Sequence, residues 1–200
     1  VSDHVDALES AIRSVLSEMN TTAPGRVVSY NPATNRAVVQ PTLPKMLADG
    51  TELPAPTIAE VPILFPTAGS SVQTQPIRPG DQVWLEFSQR SLEGWLGGND
   101  AAPDDPRQFD MTDCVARPGG GRDVTGVDPD AVVIRHGTTT MRLLEGGVVE
   151  LTGNLVVTGN VVVTGTITSS GPIVGAGIGL STHRHGETGT GGGTTTVPTG

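Results

Sequence analysis

The stretch TGNLVVTGNVVVTGTITSSG, residues 152–171, repeats a unit of six: Thr152-Gly153, Thr158-Gly159, Thr164-Gly165 and Ser170-Gly171 recur at that spacing. With the glycine taken as position six, position two reads Val149, Leu155, Val161, Ile167 and Ile173. Position four reads Leu151, Val157, Val163, Ser169 and Gly175. Strand side chains alternate with period two, so these positions share a face. Position two stays large while position four shrinks toward the C-terminus, which describes a core that narrows. A six-residue strand spans only about 20 Å, and a thin ladder buried on one face is marginal alone. A single-chain β-helix built from hexads needs three per coil, and the hexads here make fewer than two coils. Three chains wound round one axis solve this, each supplying one wall of a triangular prism. Periodic Val and Ile at fixed positions argue against a solvated Gly/Thr stalk.

Past the repeat comes His183-Arg184-His185. On a strand the two imidazoles point to the same side and Arg184 points away, toward solvent or a carboxylate such as Glu187. Three chains then bring six nitrogens to one axis, an octahedral donor set for a first-row metal. Zinc prefers four tetrahedral ligands, whereas iron(II) or nickel suits six nitrogens, and iron is the more available. With no open position the site is structural. His4 and His136 have no partner at ligand spacing and read as solvated. The last 15 residues, GETGTGGGTTTVPTG, read either as a disordered tail or as a tight cap folded over the metal.

Upstream, Val5, Leu8, Ile12, Val15, Leu16 and Met19 lie on one helical face, predicting an amphipathic helix over residues 3–19. Ser2 or Asp3 can cap its start, and Asn20 can end it in a left-handed turn. Residues 25–115 read as short strands. Gly25–Tyr30 and Arg36–Gln40 flank the turn Asn31–Asn35, and in Ile58–Phe65 Pro62 marks an edge or a bulge. After the turn at Arg78–Asp81, Val83, Leu85 and Phe87 take one face of a strand and Trp84 and Glu86 the other. Some five strands in this length suggest a small antiparallel barrel of the OB type, with 41–57 as a surface loop. The Gly, Pro and Asp cluster at 117–130 reads as a linker, and Val132–Leu144 is β-like. The predicted organisation is therefore a mainly β chain: helix 1–20, OB-type barrel 21–116, linker 117–130, trimeric triple-stranded β-helix 131–182 and metal-binding tip 183–200.

The 200 residues carry a net charge of −9 and six aromatic side chains, which argues against a nucleic-acid groove. Cys114 is the only cysteine, so no disulfide closes within one chain; a buried thiol fits assembly in a reducing cytoplasm. The start, VSDHVDALES, lacks a signal-peptide pattern, and no apolar run reaches transmembrane length. Asp104, Asp105, Asp110 and Asp113 cluster in a Pro-rich loop and read as solvated rather than catalytic. No nucleophile triad, P-loop or dinucleotide fingerprint is present, so no enzyme is expected.

The hexads, the His-x-His and the Gly/Thr tail together resemble the membrane-puncturing central spike proteins of contractile-tailed bacteriophages. ILFPTAGSSVQTQPIRPGDQVWLEFSQRSLEGWL at 63–96 and DPRQFDMTDCVARPG at 105–119 are similar to the OB-type domain of the Gp138 branch of those spikes. The resemblance implies a homotrimer with an OB domain, a triple-stranded β-helix and a pointed tip. In that family one iron per trimer is held by an H-x-H from each chain, which here falls on His183 and His185. It also implies a place in the virion tail baseplate, docked on a hub protein through the N-terminal region, and mechanical piercing of the host outer membrane. Nothing here resembles a lysozyme insert. A receptor-binding trimeric tail fibre is the alternative, but a bulky aromatic head expected of one is missing from the Gly/Thr-rich end.

Elemental analysis of purified protein is expected to give about one iron per three chains. Changing His183 and His185 together to alanine should remove the iron and leave the oligomer intact. Zinc, or no metal, in freshly purified protein would refute the iron assignment.

Overall fold

A computed structural model describes residues 2–47, 49–119, 121–175 and 178–179. The chain divides into two compact units between Val127 and Asp128. In the first, helix α1 (Ser2–Glu18) precedes β1 (Thr22–Asn31), β2 (Arg36–Pro41), the short β3 (Lys45–Met46) and β4 (Glu52–Leu53), and β5 (Ile58–Pro62). Then come β6 (Thr67–Ala68), β7 (Ser71–Val72), β8 (Gln82–Phe87), the one-turn α2 (Glu93–Leu96) and β9 (Cys114–Pro118). The second unit holds β10 (Ala131–His136), β11 (Thr139–Leu144), β12 (Val148–Thr152), β13 (Val174–Gly175) and β14 (Ile178–Gly179).

The helix forms where its apolar period predicts, but its end differs. Asn20 is not left-handed. Its side-chain amide instead donates to the carbonyl of Phe109 at 2.8 Å, tying the residue after the helix to the 105–113 loop.

Five strands form one antiparallel sheet in the order β5-β2-β1-β8-β9. The sheet curls until its two edges touch: Ile63 bridges Ala116 in parallel, and Leu64 N–H donates to the Ala116 carbonyl at 2.8 Å. The result is a half-barrel with its core inside the curl. Strict alternation builds that core. Ala37 and Val39 of β2, and Val83 and Leu85 of β8, are buried, with Val27, Ile58, Val61, Ile63, Cys114 and Ala116 completing it. Trp84 stands on the outer face of β8, as its alternation predicts.

Pro62 sits in β5, at a sheet edge, where a missing N–H costs the ladder little. That strand also carries a bulge: Val39 pairs Ile58 and Ala37 pairs Val61, so the extra residue falls on β5, and Glu60 adopts φ 57° there. The Arg78–Asp81 turn forms as its sequence predicts. Asp81 accepts from Arg78 N–H at 2.7 Å, and Gly80 takes φ 95°. The expected surface loop 41–57 contains the small β3–β4 ladder.

Gly25 of β1 faces the core so closely that a Cβ there would lie 2.6 Å from Val39 Cγ1 and 3.2 Å from Leu85 Cδ1. Gly25→Ala is therefore expected to destabilise the barrel by about 1–3 kcal/mol, the usual cost of overpacking. A thermal melt with an unshifted midpoint would show that β1 can move aside.

Candidate functional site

In the second unit, β10, β11 and β12 form a three-stranded antiparallel sheet. His136 pairs Thr139 across a tight turn in which Gly137 takes φ 57°, a hairpin geometry that favours glycine. The stretch 132–144, which the sequence presents as one β-like run, is thus two strands. His136 closes the first of them instead of lying mid-strand.

Cross-strand register sorts the side chains into two faces. On one, Val132–Leu143–Val149 and Ile134–Met141–Leu151 form two apolar rows. These six are 63, 40, 57, 54, 39 and 44 % exposed in the order given. On the other face Val133 lies beside Arg142 and Glu150. The Arg142 guanidinium binds Asp128 at 2.7 Å and also pairs with Glu150. Those hydrogen bonds raise the Arg142 pKa. Asp128 is held below its ordinary value, first by the Asp130 N–H and then by Arg142. The Arg142, Asp128 and Glu150 side chains are paired within the chain, while the two apolar rows on the opposite face, and Val148 beside the ion pairs, are uncovered, as surfaces awaiting a partner are.

The hexads continue the run of exposed apolar residues, Val156 and Val162 at 87 % being the most exposed among them. Val149 and Leu151 of β12 are followed by Leu155, Val157, Val161, Val163, Ile167 and Ile173, all exposed. The chain bends at each of Gly153, Thr158-Gly159, Thr164-Gly165 and Ser170-Gly171. Gly153 and Gly159 take φ 129° and 142°, so the periodic glycines mark backbone corners. Between Asn154 and Ile173 no ladder and no backbone–backbone hydrogen bond forms within the chain, among the described residues. Apart from the Ser169 hydroxyl, which donates to the Gly171 carbonyl and accepts from its N–H, the backbone groups of this stretch have no partner among the described residues, and its apolar side chains are exposed.

The predicted ligands His183 and His185, with Arg184, Glu187 and the Gly/Thr tail, lie outside the described residues. Their donor set, neutral imidazoles two residues apart, is one that iron(II) accepts. Among the described residues, no group of three or more His, Cys, Asp or Glu is placed to hold a metal. No helix among them is long and apolar enough to cross a membrane.

One reading of the acidic loop is corrected. Asp113 is not solvated but 4 % exposed. Arg107 grips it through Nε at 2.5 Å and Nη2 at 3.2 Å, reaches Asp105 through Nη1, and Leu92 N–H donates to Asp113 at 2.8 Å. Burial works against the Asp113 charge, but Arg107 and the Leu92 N–H outweigh it and hold the carboxyl below its ordinary range. Asp110 is lowered by the Thr112 hydroxyl and N–H. These carboxylates are occupied in fixing the loop. The signal that could have found the clamp is Arg107 six residues before an Asp that directly precedes a buried strand. Burial, with Asp113 adjoining, pushes the Cys114 thiol up to about 12, so it stays protonated.

Residues 23–119 match the family model described as the phage protein Gp138 N-terminal domain. No curated protein matches the chain.

Asp113→Ala should cost about 3 kcal/mol, because Arg107 and the Leu92 N–H then lose a buried partner. The native carboxyl has a depressed pKa, so its contribution is present above the unfolded value near 3.9. It should be lost only as pH falls through the lower folded value. Melting curves in which wild type and Asp113→Ala differ at neutral pH but converge in acid would bear this out; a constant difference down to the most acid pH would not.

Proposed function

We propose that this chain, whose residues 23–119 match the model of the phage protein Gp138 N-terminal domain, is the spike of a contractile tail baseplate, one that pierces the host envelope mechanically. Its curled sheet is then an OB-type barrel that docks, with the N-terminal region, on a tail hub. Its second unit is one third of a triple-stranded β-helix closed at the tip by iron held on His183 and His185 of three copies.

The observation that carries this reading is the second unit's double deficit. A stretch with exposed Leu155, Val157, Val161, Val163, Ile167 and Ile173 and no in-chain backbone pairing needs several copies of itself. Position four, running Leu151, Val157, Val163, Ser169, Gly175, supports a taper: side chains near a shared axis become smaller until only backbone remains. A narrow rigid point concentrates an applied force, and no free energy need come from lipid contact. The net charge of −9 is unfavourable for anionic lipid, which argues against spontaneous insertion.

Tail particles lacking this protein are expected to adsorb and contract normally yet deliver DNA poorly. The purified protein should release no dye from liposomes. Failure to adsorb would point to a receptor-binding fibre, and liposome lysis by the pure protein to pore formation.

A further inference from the structure

Nothing in the first unit covers the apolar stripe of α1. Val5, Leu8, Ile12, Val15 and Leu16 of the helix, with Met19 just past its end, are 50, 62, 50, 66, 59 and 36 % exposed, in that order. Leu16 apart, their spacing alternates three and four, the period of a coiled-coil seam, and Leu16 broadens that seam by one position. Val5 and Ile12 take heptad position a, and Leu8 and Val15 take d; Met19, the next a by count, lies just past the helix. A seam of this period accepts knobs from a helix of the same period, which a second copy supplies.

The flanking positions select the arrangement. His4 falls at g and Glu9 at the following e. In parallel, in-register helices these two face one another between copies, an imidazole N–H against a carboxylate. The next such pair, Ala11 and Leu16, is apolar and widens the seam, as packing of more than two helices requires. Glu18, at the last g position, is held by Lys45 of its own chain at 2.7 Å. An antiparallel neighbour would set Glu9 against Leu16, leaving a carboxylate on an apolar side chain.

We propose that the α1 stripe packs against the same stripe of two further copies, as a parallel three-helix coil that fixes the register of the assembly from its N-terminal side. This rests on the trimeric reading of the second unit. A helix of 17 residues is marginal alone, and tethering to an existing trimer raises the local concentration of helices to the order of millimolar. Hub contacts then fall to the polar side of α1 and to the barrel.

Single cysteines test the contact in the full chain, where the buried Cys114 stays silent. Under mild oxidation Leu8→Cys, on the seam, should give covalent dimers on denaturing gels, and Ser10→Cys, on the outer face, roughly tenfold fewer. Glu9→Lys added to Leu8→Cys should slow the cross-linking. Sedimentation of the same samples separates the two ideas. A trimer in which both cysteines cross-link equally, or neither does, overturns the helix coil and leaves the trimer standing. A monomer overturns both.

Discussion

Burying a backbone N–H or C=O without a partner costs about 1–3 kcal/mol, and residues 154–173, exposed in the single chain, present a run of backbone groups with no backbone partner among the described residues, beside exposed Val, Leu and Ile. Among the described residues neither demand is met within one chain. In the proposed assembly neighbouring copies would meet both, supplying ladder partners and covering the apolar rows. In the flanking sheet Arg142 is paired with Asp128 and Glu150, while the two apolar rows of the opposite face are left bare.

The first unit obeys the opposite logic. Its sheet curls onto itself, so Val39, Leu85 and Ala116 are almost wholly buried without a partner chain. The parallel bridge at Ile63 and Ala116 joins the edges, and the bulge at Glu60 bends β5 toward that closure. The Arg107–Asp113 clamp anchors the loop leading into β9.

Much of this was legible in the residues. The alternation of Val83, Trp84, Leu85 and Glu86 placed core and surface on β8 correctly, and Pro62 announced an edge strand, because both signals are local. The hairpin turn at Gly137 was hidden because Arg135-His136-Gly-Thr lacks the Asn-Gly signature that marks such turns. Asp113 was misjudged because its burial depends on Arg107 and Leu92, contacts that composition does not reveal. Asn20 was misjudged for the same reason, its partner Phe109 being distant in sequence. His183 and His185, the proposed tip ligands, are legible only as a pattern and lie outside the described residues.

Hydrogen exchange in the full chain bears most directly on the claim that residues 154–173 fold only between copies. At concentrations where the protein assembles, amides in that stretch should be protected as strongly as those of the barrel core, and on dilution they should lose protection while Val39 and Leu85 keep theirs. Amides from Asn154 to Ile173 that exchange freely at every concentration, beside a protected barrel, would show the hexads to be a solvated stalk and contradict the claim.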